Sequence, residues 1–365
     1  MQTLTAPSPT LDRRPGPGVS LCFSGGIALG AFEAGAAEAL DTQGIEPAWI
    51  LGASVGSVTT AILAGNPRHR RIAQLRRFWD MAADPLVFPF AGDAWRRLFN
   101  EASALRTLML GRPGIFHPKL WSAYGERQAL FDLSPLRARL PELLDFERLN
   151  APDSPRVTLV ATDVESGERV VFDTRRGYRI GPEEVVASCA LLPLFAPVEV
   201  GGRLLGDGGL AANVPLDFPL DEPWAESVLL FAVDLFARRG SRPESLSGSA
   251  ARAGDLVFGN QTQVLIEARR REHRLRDLVA RLAAGMPEDA PAAAEARAVP
   301  APPPTSVVLL GYRASRAEAG VVKPFDFSAA TLAERWKAGA AAMRRAIAQV
   351  EGGVPAGFTL HSVEG

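Results

Sequence analysis

The sequence predicts an α/β fold in which helices cover both faces of a central sheet. An apolar run at residues 19–23 is followed by a Gly-rich turn and a helical pattern at residues 28–43. The same order of run, turn and helical pattern returns at residues 49–64. A continuous apolar run at residues 227–235 is typical of a central strand that is buried on both faces. Strands that alternate with helices in this way indicate a largely parallel sheet.

The remaining elements extend this pattern. Two β-branched runs, residues 157–161 and 169–172, are separated by a Gly-containing turn and predict a hairpin. A long helix is expected over residues 256–282. A strand at residues 307–312 and a helix at residues 329–349, with Ser328 as its N-cap, complete the chain.

The chain has 365 residues, enough for one large domain with an appendage. We expect residues 1–18, rich in proline, to be a disordered tail, and residues 19–235 to form the main domain. Residues 236–284 are expected to be a linker and the long helix. Residues 285–304 read as a flexible Ala/Pro insertion. Residues 305–365, here called the C-terminal extension, are expected to pack on the main domain.

Composition excludes several classes of function. The 40 basic and 41 acidic residues give a net charge of −1, so nucleic acid is not an expected partner. Cys22 and Cys189 lie in apolar runs and provide neither a disulfide framework nor metal-ligand spacing, so we expect no metal, no cofactor and a cytoplasmic location. The longest uncharged apolar stretches are shorter than the roughly 20 residues of a spanning helix. Any membrane contact is therefore expected to be peripheral.

Gly52, Ser54 and Gly56 form a G-x-S-x-G motif. In a nucleophile elbow of this pattern the glycines leave room for a sharp strand-to-helix turn, and the serine hydroxyl is presented at the start of the helix. A purely structural Gly/Ser turn is the alternative. The apolar run before the motif and the helical pattern after it favour the elbow.

A second motif, Ser24-Gly25-Gly26-Ile27 with Gly30 after it, lies between the first run and the first helix. Free backbone N–H groups at such a place can hold a negative oxygen, either as an oxyanion hole or as a phosphate loop. The glycine order of a dinucleotide fingerprint and the lysine of a Walker loop are both missing from it. Glycines that only allow close helix packing remain an alternative.

The third motif places Asp207 before Gly208 and Gly209. An aspartate there can be a catalytic carboxylate or an ordinary turn residue. A free carboxyl group with a pKa near 3.9 is a poor base at neutral pH, so a catalytic Asp207 needs burial that raises its pKa.

Together the three motifs, in this order, resemble the signature blocks of patatin-like phospholipases, a family of acyl hydrolases with a Ser-Asp dyad. Residues 187–197 and 207–215 are similar to the family's stretch around its catalytic aspartate, and residues 160–163 to its preceding hairpin. The resemblance covers about residues 19–235. Residues 307–346 also resemble the C-terminal part of a bacterial branch of patatin-like proteins.

The resemblance implies a patatin-like, three-layer central sheet flanked by helices, with a helical cap region and a C-terminal extension. It implies that Ser54 attacks an acyl ester, that Asp207 is the base, and that N–H groups of Gly25, Gly26 and Ile27 hold the oxyanion. The motif glycines that support this arrangement are Gly30, Gly52, Gly56, Gly208 and Gly209. The expected substrate is a lipid or acyl ester, with phospholipid, lysophospholipid, glyceride and polyester all open.

The first block departs from the family pattern. Ile27 and Leu29 stand where the family usually has a glycine and a basic residue. A backbone N–H survives at Ile27, although a β-branched residue restricts φ. Two alternatives therefore stay open. One is a Ser-His-Asp hydrolase that uses Asp207 with His273 or His361, and the other is a catalytically silent lipid-binding or scaffold protein.

Residues 84–118 are unusually aromatic and are expected to form the cap, as a mobile apolar lip over Ser54. The aromatic residues are Phe88, Phe90, Trp95, Phe99 and Phe116. Such a lip would contact a membrane or lipid aggregate, with Arg96 and Arg97 beside anionic head groups. An apolar stripe is predicted on one helical face of this segment, formed by Trp95, Leu98, Phe99, Ala102 and Met109. The alternative is that this stripe simply packs on the sheet.

Overall fold

The computed structural model describes residues 18–84, 93–119, 129–236, 238–240, 242–243, 246–314 and 320–365. Its strands are β1 Gly18–Phe23, β2 Trp49–Ala53, β3 His117–Pro118, β4 Phe131–Asp132, β5 Arg156–Asp163, β6 Arg169–Asp173, β7 Val198–Val200, β8 Arg203–Asp207, β9 Val228–Asp234, β10 Thr305–Gly311 and β11 Phe358–Glu364. Its α-helices are α1 Ala31–Thr42, α2 Val55–Ala64, α3 Arg68–Ala82, α4 Asp93–Leu110, α5 Ser134–Leu143, α6 Phe146–Leu149, α7 Pro182–Ser188, α8 Asp217–Asp221, α9 Leu246–Gly285, α10 Ala293–Ala298 and α11 Ala329–Val350. Short 3₁₀ helices lie at Ile27–Gly30, Thr174–Arg176, Gly208–Leu210 and Gly320–Phe325.

Within these residues, nine strands form one mixed sheet in the order β11-β10-β9-β1-β2-β5-β8-β7, and β6 also pairs with β5. The strands from β11 to β5 are parallel, whereas β6, β7 and β8 join by antiparallel pairs. β1 and β2 end together, with Phe23 beside Gly52. The predicted α/β class, with helices flanking a central sheet, is confirmed.

Alternating side chains of the central strands enter two separate cores, as the pleat of a strand requires. Leu21 and Phe23 of β1 belong to the larger core, which also holds the apolar residues of α1, α2 and α11. Cys22 of β1 points to the other face, where Ile266 of α9 helps to cover it. The sheet is therefore the middle of three layers. In the described part of the chain, no helix combines the length and the apolar character needed to cross a membrane.

The C-terminal extension continues the sheet of the main domain. β10 pairs with β9 in parallel, and β11 pairs with β10. Its helix α11 crosses α1 at two glycines. A Cβ on Gly35 would lie 1.9 Å from the carbonyl oxygen of Trp336, and a Cβ on Gly339 would lie 1.9 Å from that of Phe32. The backbones of the two helices thus touch directly, with no room for side chains between them.

The Ala/Pro segment at residues 285–304 contains one short helix. Residues 293–298 form α10, and Ala293 is fully buried. The Arg297 side chain donates to the carbonyl of Met286 at 2.8 Å, and a ring nitrogen of His273 in α9 lies 2.9 Å from the Pro303 carbonyl oxygen. Alanine is the best helix former, which accounts for the turn of helix between the prolines.

We expect Gly339→Ala to weaken the docking of α11 on α1. The added methyl group would overlap the Phe32 backbone, which cannot move aside as a flexible side chain could. Overpacking of this kind lowers stability by about 1–3 kcal/mol. Thermal unfolding followed by circular dichroism measures the change. Gly254→Ala in α9 is the control, because its Cβ would meet nothing within 4 Å and alanine favours a helix. Equal melting temperatures for the two variants would contradict the close helix crossing.

Candidate active site

Ser54 lies at the turn between β2 and α2, in a strained backbone conformation with φ 54° and ψ −127°. The flanking glycines are required sterically. A Cβ on Gly52 would lie 2.3 Å from the carbonyl oxygen of Gly56, and a Cβ on Gly56 would lie 2.6 Å from that of Phe23. The G-x-S-x-G motif therefore folds as the sharp strand-to-helix turn that the sequence predicts.

The backbone of Ser54 is held on both sides by a segment distant in sequence. Its N–H donates to Ser188 Oγ at 3.0 Å, and Ser188 Oγ in turn donates to the Val160 carbonyl at 2.6 Å. The Cys189 thiol, whose pKa burial raises well above its usual value, donates to the Ser54 carbonyl at 3.1 Å. These bonds fix the unusual dihedral angles of the turn.

The register of β5 brings Asp207 to Ser54. One edge of β5 is taken by β6. On the other edge of β5, the ends of β2 and β8 meet. Ala53 of β2 lies beside Val160 of β5. Asp207 of β8 lies beside the next residue of β5, Ala161. The residue that follows Ala53 is Ser54. The two side chains singled out in separate motifs are thus adjacent in space.

Asp207 is buried, with 2% of its surface exposed. Its Oδ1 accepts from the Gly209 N–H at 2.7 Å, whereas Oδ2 has no hydrogen-bond partner among the residues that the structure describes. Burial raises the pKa of Asp207 to about 7, against smaller lowering effects of the Ser54 hydroxyl and the Gly209 N–H. The burial that a catalytic Asp207 needs is therefore present. The carboxyl group is balanced between its two protonation states near neutral pH.

The Gly-rich loop lies beside both side chains. The Gly25 N–H donates to Asn213 Oδ1 at 3.1 Å, and a Cβ on Gly25 would lie 2.9 Å from Ser54 Cβ. The N–H groups of Gly26 and Ile27 donate to no acceptor in the part of the chain described. Ile27 adopts φ 52°, a left-handed conformation that is costly for a β-branched residue. Of the three expected donors, Gly26 and Ile27 are free, and Gly25 is engaged.

The other motif glycines act through packing. Gly30 faces Val55, and a Cβ on it would lie 2.9 Å from the valine methyl groups. A Cβ on Gly208 would lie 2.2 Å from the Val160 carbonyl oxygen. Sequence reasoning gave no role to Ser188 or Asn213, although both stand in the stretches that resemble the family. Their polar side chains amid apolar neighbours were the only signal.

An apolar cavity of about 40 Å³ opens beside Ser54. Its aromatic walls come from α3, from the segment after α4, from the segment before β7 and from the C-terminal extension. The lining residues are Ile27, Ser54, Val55, Val58, Phe78, Trp79, Ile115, Phe116, Leu133, Leu136, Cys189, Leu191, Phe195 and Phe327.

The histidines are placed elsewhere. His273 contacts the Pro303 carbonyl and the ring of Phe358. His361 lies in edge strand β11, and three strands separate β11 from β2. At about 4.8 Å per strand this is a distance of about 19 Å. The arrangement gives no support to a histidine base.

Helix α4 carries the predicted apolar stripe, but on its exposed side. Its large exposed side chains are Trp95, Leu98, Leu105, Met109 and Leu110, with exposed fractions from 53% to 71%. Small and polar side chains form the buried side of the helix, namely Asn100, Ser103, Ala104 and Thr107. Arg96 pairs with Glu334. The expected lip residues Phe88 and Phe90 lie outside the described residues, as does the side chain of Arg97.

A mixed sheet that presents a serine on a strand-to-helix turn, beside free backbone N–H groups and an apolar cavity, defines a class of ester hydrolases. A sequence model described as patatin-like phospholipase matches residues 21–220, more than half of the chain. A second model, described as patatin phospholipase, matches residues 256–352. The chain belongs to the patatin-like phospholipase family and is a lipid hydrolase. The family resemblance and the presence of the C-terminal extension are thereby confirmed.

Comparison with curated proteins found no match. Among solved structures, VipD from Legionella pneumophila is similar, with 16% identity and a TM-score of 0.39 over 91% of this chain and 67% of VipD. Human GIVD cytosolic phospholipase A2 is similar with 17% identity and a TM-score of 0.32, over 59% of this chain and 42% of the human chain.

We expect Asp207→Asn to raise stability at alkaline pH. The folded pKa of about 7 exceeds the ordinary value of 3.8, so folding favours the protonated acid. This contribution is fully present below about pH 4 and is lost as the pH rises through 7, to an extent of about 4 kcal/mol. The neutral amide avoids that loss. Urea unfolding of both proteins between pH 4 and pH 9 measures the difference. A variant that is less stable than wild type at both ends would contradict the buried, high-pKa carboxyl.

Proposed function

We propose that the chain hydrolyses carboxylic esters of lipids through a Ser54–Asp207 dyad and an acyl-enzyme. The observation that carries this proposal is the buried Asp207 carboxyl with one unpaired oxygen, set beside a serine on a strained turn. A carboxyl group with a pKa of about 7 is suited to exchange protons at neutral pH.

In the first step Asp207 accepts the proton of the Ser54 hydroxyl as Oγ attacks the ester carbonyl carbon. The carbonyl oxygen becomes negative in the tetrahedral intermediate. The N–H groups of Gly26 and Ile27 donate to that oxygen, and such donors act most strongly where water is excluded. Asn213 holds Gly25 so that the loop keeps its shape.

The intermediate collapses when the bond to the alcohol oxygen breaks, and Asp207 returns the proton to the departing alcohol. Ser54 is then esterified. A water molecule, deprotonated by Asp207, attacks the acyl-enzyme, and the proton passes back to Ser54 Oγ as the fatty acid leaves. The carbons of the acyl chain nearest the ester occupy the apolar cavity during both steps.

We expect Ser54→Ala and Asp207→Asn each to lower ester hydrolysis on the order of 10⁴-fold, since each removes one member of a catalytic unit. His273→Ala and His361→Ala are the matched controls, and both should keep wild-type activity. The wild-type rate should rise with pH through about 7, because only the ionised Asp207 accepts a proton. Release of p-nitrophenol from a short acyl ester measures all five proteins.

An inactive but normally folded His273→Ala protein would show that a Ser-His-Asp triad, and not the dyad, carries the reaction. Absence of turnover in the wild type, on phospholipid, lysophospholipid, glyceride and polyester alike, would favour a silent lipid-binding protein instead. Product masses from the same four substrates identify the physiological ester class.

We further propose that the exposed face of α4 contacts the lipid aggregate from which the substrate comes. A helix normally buries its apolar side. Here Leu105 and Met109 are 53% and 71% exposed, while Thr107 between them is buried. The helix leads directly into Ile115 and Phe116, which line the cavity. An acyl chain can then pass from the aggregate to Ser54 without crossing water.

Leu105→Ser combined with Met109→Ser should slow hydrolysis of vesicle-bound substrate several-fold more than hydrolysis of a soluble short-chain ester. Val264→Ser with Leu282→Ser in α9 is the matched control, since these side chains are 67% and 60% exposed. Parallel losses on both substrates in the α4 variant would assign the face a different role.

A further inference from the structure

We propose that the C-terminal extension limits the length of the acyl chain, through the side chain of Phe327. This inference rests on the proposed hydrolysis at Ser54. Among the described residues of the extension, Phe327 is the one that lines the cavity, whose other walls belong to the main domain. The extension thereby contributes to the substrate site as well as to the sheet.

The Phe327 ring belongs to an aromatic cluster at the cavity wall. It is 1% exposed, and its centroid lies 6.4 Å from that of Phe116. Phe116 in turn packs against Phe195 at 5.3 Å and Phe131 at 5.0 Å. Edge-to-face contacts of this kind hold each ring in one orientation.

The backbone around Phe327 is fixed from two sides. The Phe327 carbonyl accepts from the Asp84 N–H at 2.7 Å. Arg335, itself 1% exposed, donates to the carbonyl of Asp326 at 3.1 Å and to that of Lys323 at 2.9 Å. Shifting the backbone of this segment would break two hydrogen bonds of a buried guanidinium group, which is unfavourable.

A further contact holds the opposite side of the ring. The guanidinium carbon of Arg112 lies 5.5 Å from the Phe327 centroid, and Arg112 is paired with the buried Asp84. The same Asp84 therefore binds the Phe327 backbone and the cation over its ring. Phe327 is thus a rigid part of the wall.

The size of the cavity makes the rigid ring important. A water molecule needs about 10–15 Å³ measured in this way, so 40 Å³ accommodates only a few small groups. A short acyl chain fits with small rotamer changes. A longer chain has to displace part of the wall, and the anchored Phe327 ring resists that displacement. We therefore expect the wild type to prefer short acyl chains.

The test compares wild type, Phe327→Leu and Phe327→Ala on p-nitrophenyl butyrate, octanoate and laurate, each below the concentration at which it aggregates. Opening the wall should raise the ratio of kcat/KM for laurate to that for butyrate by about tenfold, the scale on which pocket contacts discriminate one or two methylene groups.

Leu332→Ala is the matched control, because Leu332 is buried in the same extension without lining the cavity. The ratio should stay at its wild-type value in this variant, even if its melting temperature falls. An equal rise in Leu332→Ala, or an unchanged ratio in a well-folded Phe327→Leu protein, would overturn the inference.

A second measurement separates this inference from the proposed chemistry. Butyric, octanoic and lauric acids are added to each protein, and the shift in melting temperature is recorded. Laurate should stabilise Phe327→Leu more than wild type, and butyrate should stabilise both equally. If wild type hydrolyses none of the esters, the proposed function fails, and this acid series alone decides whether Phe327 limits chain length.

Discussion

The site depends on one constraint of strand pairing, namely that β2 and β8 share an edge of β5 and reach it from opposite directions. Ala53 and Asp207 consequently lie beside consecutive residues of β5. Ser54 and Asp207 are adjacent for this reason. The Gly-rich loop at the end of β1 covers the place where the ends of β2 and β8 meet. Burial of the carboxyl, and hence its raised pKa, follows from the crowding of three strand ends.

Local motifs could be predicted from the sequence because the geometry they need is short-range. The turn at Ser54 is an example, since two flanking glycines suffice to allow it. Long-range contacts could not be predicted in the same way. Asn213 accepts a hydrogen bond from Gly25, which lies 188 positions earlier in the sequence. Ser188 accepts one from Ser54, which lies 134 positions earlier. Nothing in their immediate neighbours specifies these partners.

Amphipathic periodicity had a similar limit. It predicted an apolar stripe on α4 but gave no indication of what the stripe faces, and Met109 is exposed while Thr107 is buried. The Ala/Pro composition around Ala293 suggested flexibility. Composition alone does not reveal that α9 provides a surface on which α10 packs. In both cases the missing information concerned neighbouring elements.

The hydrogen bond from the Gly25 N–H to Asn213 has a consequence for the order in which the protein matures. Gly25 and Ser54 are synthesised early, whereas Asn213 is added 188 residues after Gly25. Until that amide docks, the Gly-rich loop lacks this anchor. Under the proposed mechanism, a nascent chain that has not yet reached Asn213 lacks a complete site. Hydrolysis then requires that Gly25 and Asn213 have come together.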